Sequence, residues 1–190
     1  MALTSAQLQA FADDIDGNTD QTVIDALAAG SHNTIRNWYN QEASPAFYVF
    51  LTSVDTDTAF KSIDKSEYID VPASGGTTVE SLVEAIEAAS LARRQEVALQ
   101  LLLANGTYDP SVQANREALV EIFPNTMPNT RAAFLADAVR QANYIEKLFA
   151  TEGSGPAGGD GSSANDAAIP GYEGNVTTAD VDAAVALIGG

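Results

Sequence analysis

The feature that most limits the fold of this chain is a stretch near its end with almost no large apolar side chains. Residues 152–168 consist mainly of Gly, Ser, Ala and Asp. Such a composition cannot bury enough apolar surface to offset the entropy that is lost when a segment becomes ordered. The sequence therefore predicts three parts: a helical body at residues 1–151, a flexible linker at 152–168 and a docking segment at 169–190.

The docking segment carries short apolar side chains between turn residues. Thr177 and Thr178 can cap a helix, and the pattern after them predicts one short terminal helix. A mobile arm with an apolar tip is typical of assembly proteins, in which such a segment becomes ordered on binding a partner. The residues that we expect to bind the partner are Ile169, Pro170, Tyr172, Glu173, Val176, Val181 and Val185.

Helical spacing dominates the predicted body. Thr4 and Gln7 have the spacing of a capping box, and apolar residues at helical intervals follow up to a break at Gly17. Asp20 and Ser31 can cap a second and a third helix. Further helices are predicted at about 56–60, 77–105, 109–123 and 129–149.

One segment of the body does not have helical spacing. Residues 46–54 are aromatic and β-branched and too few for a helix, so they predict an extended segment or a single strand. No hairpin partner is evident beside them. We therefore predict an all-α fold, a small helical bundle with one extended or strand-like insertion and a long flexible C-terminal arm.

The charge of the chain excludes two classes of partner. Nine basic residues stand against 26 acidic ones, which gives a formal net charge of −17. Such a surface cannot bind phosphates generally, nor an anionic membrane. Two explanations of this charge are equally good. The first is solubility or a salty habitat, and the second is a surface that must lie beside nucleic acid without binding it, such as the wall of a DNA channel.

Residue counts also limit the chemistry. The chain has no cysteine and one histidine, which excludes disulfides, thiolate metal sites and any site that needs two imidazoles. No nucleophile motif or phosphate-binding loop is present, so we expect neither catalysis nor a cofactor. We see no secretory signal and no apolar run of about 18 residues, so we expect a soluble protein that is made in the cytoplasm.

One acidic stretch has the alternating oxygen ligands of a calcium loop. Asp14, Asp16 and Asn18 are spaced like the first half of such a loop, and Asp25 falls at its twelfth position. Thr19 stands where the loop needs glycine, and Asp25 is shorter than the usual glutamate. The alternative, which we favour, is a polar turn between two helices with good capping residues and no bound metal.

Three arginines are candidates for contacts between subunits. Arg93 and Arg94 lie inside the predicted 77–105 helix, and Arg116 lies inside the next one. In so acidic a chain, scarce arginines are expected to pair with carboxylates. We favour pairs within the chain, and pairs across a subunit boundary are the alternative.

Several ordered blocks resemble a known group of proteins. The chain is similar to small virion proteins of tailed bacteriophages over roughly residues 47–182, although Leu51 stands where that group has a basic residue. The blocks are Phe50-Leu-Thr-Ser-Val54, Asn105-Gly-Thr-Tyr-Asp-Pro-Ser111 with Ala114-Asn-Arg116, Thr130-Arg-Ala-Ala-Phe-Leu135, Glu146-Lys-Leu-Phe-Ala-Thr151 and Tyr172-Glu-Gly-Asn-Val-Thr-Thr-Ala-Asp-Val181.

The resemblance implies a neck protein, the head–tail adaptor of the virion. Such a protein forms a ring of identical subunits, expected to be a dodecamer, between the portal protein and a neck or tail-completion protein. DNA passes through the ring without specific binding, and no membrane is involved. The alternatives are another virion part (a tail-terminator, tail-completion or capsid-associated protein) or a calcium-dependent binding module that uses the Asp14–Asp25 loop.

Overall fold

The fold is mixed and mostly helical, which corrects the all-α prediction. The computed structural model describes residues 2–61, 64, 67, 97, 106–123, 128–156 and 158–188. The helices in these residues are α1 (Ser5–Asp16), α2 (Gln21–Ala28), α3 (His32–Tyr39), α4 (Thr56–Lys61), α5 (Gln113–Ile122), α6 (Pro128–Asp137), α7 (Tyr144–Phe149) and α8 (Thr178–Val185). The strands are β1 (Tyr48–Phe50), β2 (Val54–Asp55), β3 (Thr107–Tyr108) and β4 (Val139–Gln141).

Residue contacts divide the chain into two units. The first unit contains Met1–Val49, Arg140–Gly153 and Gly158–Gly190, and the second unit contains Phe50–Val139 and Ser154–Ala157. This division differs from the predicted order of body, linker and docking segment. The C-terminal part of the chain returns to the N-terminal helices and belongs to the same unit.

Helices α1, α2, α3 and α8 of the first unit begin where the sequence predicts. The Thr4 side chain and Gln7 form both hydrogen bonds of a capping box at α1, and Asp20 accepts from the Thr22 N–H at α2. Ser31 precedes α3, but its hydroxyl contacts the Thr34 hydroxyl instead of the backbone. The core of this unit includes Phe11, Ile15, Val23, Ile35, Tyr39, Ile145, Tyr172, Val176, Val181 and Ala184.

The described part of the linker is fixed by backbone hydrogen bonds, which corrects the prediction of a flexible linker. The Tyr48 N–H donates to the Gly161 carbonyl at 2.8 Å, and the Ala168 N–H donates to the Tyr48 carbonyl at 3.0 Å. Gly161 has a φ of 82°, and a Cβ there would lie 2.4 Å from the Phe47 ring. Order here comes from the backbone and from close approach of glycine, which a count of apolar side chains does not detect.

The predicted helix over 129–149 is interrupted by a strand. It becomes α6, β4 and α7, and β4 forms a two-stranded sheet with β1. Asn143 starts α7, because its side chain accepts from the Glu146 N–H while Glu146 accepts from the Asn143 N–H. The residues at 46–54 thus contain β1 and the first residue of β2, where the sequence predicted an extended segment or a single strand. The partner of β1 is distant in sequence, so no hairpin pattern revealed it.

The second unit contains a short antiparallel pair, with Val54 opposite Tyr108. Asp55 accepts from the Thr58 N–H at 2.9 Å, so its side chain satisfies an amide in the first turn of α4. By contrast, Asp109 accepts from the Ser111 N–H in a turn, and α5 begins later than the sequence predicts. Apart from Val97, the predicted helix over 77–105 lies outside the described residues.

Candidate functional site

All seven predicted partner-binding residues belong to the first unit, and three of them are buried. Tyr172, Val176 and Val181 are buried among residues of α1, α3 and α7. Ile169, Pro170, Glu173 and Val185 are partly exposed. The structure therefore corrects the prediction of a free arm, because Tyr172, Val176 and Val181 pack against the body of their own chain.

Helix α8 lies against α1 and α3 and is held by polar contacts at its first turns. Thr177 and Asp180 form a capping box, and Arg36 Nη1 donates to Thr178 Oγ1 at 3.1 Å. His32 Nδ1 lies 2.5 Å from Asp182 Oδ1. The capping box fixes the residue at which α8 begins, and the contacts with Arg36 and His32 fix which face of α8 packs against α3.

Asn40 recognises the backbone of the segment directly. Its amide nitrogen donates to the Val176 carbonyl at 2.9 Å, and its amide oxygen accepts from the Val176 N–H at 2.9 Å. Gln7 donates to the Gly171 carbonyl at 3.0 Å. Both polar backbone groups of Val176 are thus satisfied where its side chain is buried, as a buried backbone requires.

A buried carboxylate joins the segment to α7 and β4. Arg140 donates from its two terminal nitrogens to the two oxygens of Glu146, each at 2.7 Å. Glu146 also accepts from the Gly174 N–H at 2.8 Å and from the Asn143 N–H at 3.1 Å. Arg140 has a longer contact, 3.3 Å, with Glu173. Glu146 therefore has a partner for each of its oxygens although it is only 2% exposed.

The electrostatics of this pair favour its charged form. Burial alone would raise the pKa of Glu146, but the hydrogen bonds from Arg140, the Gly174 N–H and the Asn143 N–H lower that pKa below its ordinary value of 4.5. The hydrogen bonds with Glu146 likewise raise the pKa of Arg140, against the effect of burial. Both groups are charged at neutral pH, as a two-bond arginine–carboxylate pair requires.

Arg116 is fully buried and not available to a neighbouring subunit, which corrects its assignment as an inter-subunit candidate. Its guanidinium lies 4.1 Å from the centre of the Phe50 ring. Burial lowers its pKa. Its hydrogen bonds go to backbone carbonyls, those of Pro110 at 2.6 Å, Ser111 at 3.0 Å, Pro156 at 3.2 Å, and Ser154. Arg93 and Arg94 lie outside the described residues.

The acidic stretch covers the last turn of α1, the polar turn after it and the first part of α2. Tyr39 donates from its hydroxyl to Asp14 at 2.5 Å and accepts from the Asn18 amide at 2.9 Å. Asn18 also accepts from the Asp20 N–H, and Asp25 accepts from the side chain of Gln21 on its own helix. Asp16 is exposed.

The oxygens of Asp14, Asn18 and Asp20 accept from Tyr39, from the turn and from the first turn of α2, which agrees with the polar turn that we favoured. Within the part of the chain that the structure describes, no three His, Cys, Asp or Glu side chains come together as a metal site would need. Burial and the contact with Asp14 raise the pKa of Tyr39. Tyr39 therefore stays a neutral hydroxyl that orders the turn.

An open groove lies beside this turn, and the sequence did not reveal it. We call it the aromatic groove; its volume is about 760 Å³. Trp38 and Tyr144 stack with ring centres 4.0 Å apart and planes 20° apart. Because Tyr144 comes from α7, far along the chain, no local pattern could pair the two rings. The lining residues are Asp14, Gly17, Asn18, Thr19, Asp20, Trp38, Tyr39, Ser44, Tyr144, Lys147 and Leu148.

Comparisons with models of protein families, with curated proteins and with solved structures found no match. None of the described helices combines the length and the apolar character that crossing a membrane requires. The residue blocks of the sequence and their contacts in the two units are therefore the basis for a function.

Proposed function

We propose that this protein is a structural virion component without catalytic activity, the head–tail adaptor of a tailed bacteriophage. It forms a ring between the portal protein and a neck or tail-completion protein, at the head–tail junction and around the DNA channel. One observation carries the proposal. The blocks that resemble phage virion proteins are separate in the sequence, yet blocks of the same unit contact each other.

In the first unit, the blocks at 146–151 and 172–181 form a continuous set of contacts. The Gly174 N–H donates to Glu146 at 2.8 Å, and the rings of Phe149 and Tyr172 meet edge to face with centres 6.0 Å apart. Thr151 and Ile169 exchange two backbone hydrogen bonds just before the second block. The two blocks therefore depend on each other for burial.

In the second unit, the blocks at 50–54 and 105–116 are joined in the same way. Phe50 lies under the guanidinium of Arg116, and Val54 pairs with Tyr108 across the strands. Blocks that match an unrelated group by chance have no reason to contact each other. Blocks that are inherited together as parts of one core are expected to contact each other. The contacts within each unit therefore support the resemblance.

The charge of the chain suits a protein that surrounds DNA. A net charge of −17 repels phosphates, so DNA can pass such a surface without binding to it. A ring requires two different faces on each subunit that meet by rotation. In the proposal, the C-terminal segment is part of the first unit and not a separate arm, since Tyr172, Val176 and Val181 are already buried.

The test is recovery of a tagged copy from infected cells, with partners and their copy ratios identified by mass spectrometry. The expected result is portal protein at a ratio that fits one adaptor ring, together with a neck or tail protein. Negative-stain images of the recovered complex should show a ring with the symmetry of the portal. Absence of the protein from purified virions would overturn the proposal. A ring with the symmetry of the tail would replace it with the tail-terminator alternative.

A further inference from the structure

The aromatic groove has charges of both signs. Asp14 contributes a carboxylate from the last turn of α1, Asp20 contributes one from the N-cap of α2, and the positively charged Lys147 lines the groove from α7. Lys147 lies 5.6 Å from the centre of the Phe47 ring and forms no ion pair with any residue that the structure describes. The groove therefore offers strong hydrogen-bond acceptors and a strong donor.

The walls of the groove are held in place by the fold. The Asn18 side chain joins the Tyr39 hydroxyl to the Asp20 backbone, and Asp20 accepts from the Thr22 N–H at 2.8 Å. The latter bond keeps the pKa of Asp20 below its usual value, so Asp20 is an ionised acceptor at neutral pH. Groups that are fixed before binding lose little freedom when a ligand arrives.

The mixture of charges argues against a ligand of either sign. An anion would meet two carboxylates as well as the net charge of −17, and a cation would come close to the Lys147 ammonium. A neutral ligand with several hydroxyls can accept from the ammonium and donate to the carboxylates. The indole and phenol rings of Trp38 and Tyr144 suit a ligand that also has an apolar C–H face.

We propose that the aromatic groove is a binding site for a neutral carbohydrate of one or two sugar rings. A sugar ring combines hydroxyls at its edge with an apolar C–H face, which matches the donors, acceptors and rings that line the groove. The volume of about 760 Å³ lies within the range of small-ligand sites. This site goes beyond the proposed adaptor function and does not depend on it, because all its residues belong to the first unit.

The chain supplies its own reporter for the test. Trp38 is its only tryptophan and lies in the groove, so its fluorescence responds directly to occupancy. The full-length protein is titrated with glucose, galactose, N-acetylglucosamine and maltose. We expect a saturable change in emission for at least one sugar, with a dissociation constant that is roughly millimolar.

Two variants separate binding in the groove from general effects. Lys147→Met removes the ammonium but keeps most of the side-chain length, and we expect it to weaken sugar binding about tenfold. Lys61→Met removes the same charge from an exposed position of the second unit, and should bind as the unchanged protein does. Circular dichroism of both variants checks that the fold is retained.

Charged probes complete the experiment. Arginine amide and inorganic phosphate are titrated under the same conditions, and neither should give a saturable change. The proposal is overturned if no sugar saturates the signal, if a charged probe does so instead, or if folded Lys147→Met binds sugar as tightly as the unchanged protein. The virion proposal would stand after any of these results, because its test measures assembly.

Discussion

Each unit holds a returning piece of the chain with a buried or half-buried arginine, but the two arginines use different partners. In the first unit, Arg140 pairs with the carboxylate of Glu146, which also accepts from the backbone of the C-terminal segment. In the second unit, Arg116 donates to four backbone carbonyls and lies over the Phe50 ring. One anchor recognises a charge, and the other recognises the path of a backbone.

The difference decides which conditions each anchor tolerates. A carboxylate titrates, so the Arg140 anchor must weaken in acid. Carbonyls do not titrate, but they must lie in fixed places around the guanidinium. Gly155 shows how tightly the path is set, because its φ is 77° and a Cβ there would lie 2.8 Å from Gln113 Cγ. The hydrogen bonds of the second anchor therefore do not titrate, and they depend on backbone geometry.

The largest expected effect comes from deleting residues 169–190. This deletion removes the C-terminal segment that Glu146 binds in the first unit and leaves the contacts of Arg116 in the second unit in place. Tyr172, Val176, Val181 and Ala184 leave the core of the first unit. Full burial of a large apolar side chain contributes about 1.5–3 kcal/mol, and a domain is stable by only about 5–15 kcal/mol. We therefore expect the first unit to lose cooperative unfolding, measured by Trp38 emission and by hydrogen exchange in α1 and α3.

Removal of Gly189 and Gly190 alone is the matched control, and it should leave both signals unchanged. If the longer deletion keeps native Trp38 emission and protected amides in the first unit, the segment is a separable arm after all. That outcome would restore the prediction of a separable C-terminal arm. It would also mean that the contact between Glu146 and the segment does not stabilise the first unit.

The sequence predicted local features well, because those depend on residues close together in the chain. The capping boxes at Thr4 and Thr177 and the cap at Asp20 are all present. The capping box of Asn143 and Glu146 was also visible, but a continuous helical spacing of apolar residues obscured it. Features that require distant partners could not be predicted, such as the pairing of β4 with β1.

The site was predicted in part for the same reason. Tyr172, Val176 and Val181 were predicted to bind a partner, whereas the structure buries them within their own chain. The surface that covers them could not be predicted, since a segment that packs on a partner protein and one that packs on its own chain have the same pattern of apolar residues. Arg116 was expected to contact carboxylates, and only the fold brings four carbonyls to it instead.

The next largest effect is expected for Arg116→Met in the second unit. The substitution keeps apolar contact with Phe50 but leaves the four carbonyls without their donor. A buried acceptor that is left without its donor costs about 1–3 kcal/mol, and four carbonyls lose their donor here. Hydrogen exchange should show faster opening of α5, while Trp38 emission in the first unit should stay unchanged.

Arg116→Lys is the matched variant that keeps the charge. A lysine ammonium cannot reproduce the planar set of donors, so we expect a loss nearly as large as with methionine. If lysine restores full protection of α5, charge alone holds this anchor. The contrast between the two arginines would then be wrong.

A smaller effect is expected for Glu146→Gln in the first unit. The amide keeps the size of the side chain but loses the charge that binds Arg140, which retains its contact with Glu173. Hydrogen bonds to charged groups contribute about 1.5–3 kcal/mol, so we expect a loss of about 2–3 kcal/mol in chemical unfolding followed by Trp38 emission. Glu173→Gln, at a partly exposed position, should cost less than about 1 kcal/mol. Equal losses in the two variants would contradict the central role of Glu146.

The pH dependence sharpens the contrast between the anchors. The pKa of Glu146 is lower in the folded chain than its ordinary value of 4.5, so its stabilising effect is complete above that value. The effect is lost as the pH falls through the lowered pKa of the folded chain. The difference in unfolding free energy between the unchanged protein and Glu146→Gln should therefore shrink below pH 4.5. The difference for Arg116→Met should persist there, and a parallel decline would show that both anchors rely on titrating groups.

The smallest effect is expected for Thr177→Ala, which tests how the hold on the segment is distributed. The substitution removes the hydroxyl that accepts from the Asp180 N–H at the start of α8, and such caps contribute about 1 kcal/mol. Thr177→Ser keeps the hydroxyl and should retain nearly all of the stability. Combined with Glu146→Gln, the alanine variant should show a loss that differs from the sum by more than about 0.5 kcal/mol if the segment binds to its unit as one piece. Additive losses would mean that the Glu146 contacts and the cap of α8 stabilise the segment independently. The stabilising free energy would then be distributed over many separate contacts in the first unit, whereas in the second unit it depends mainly on Arg116.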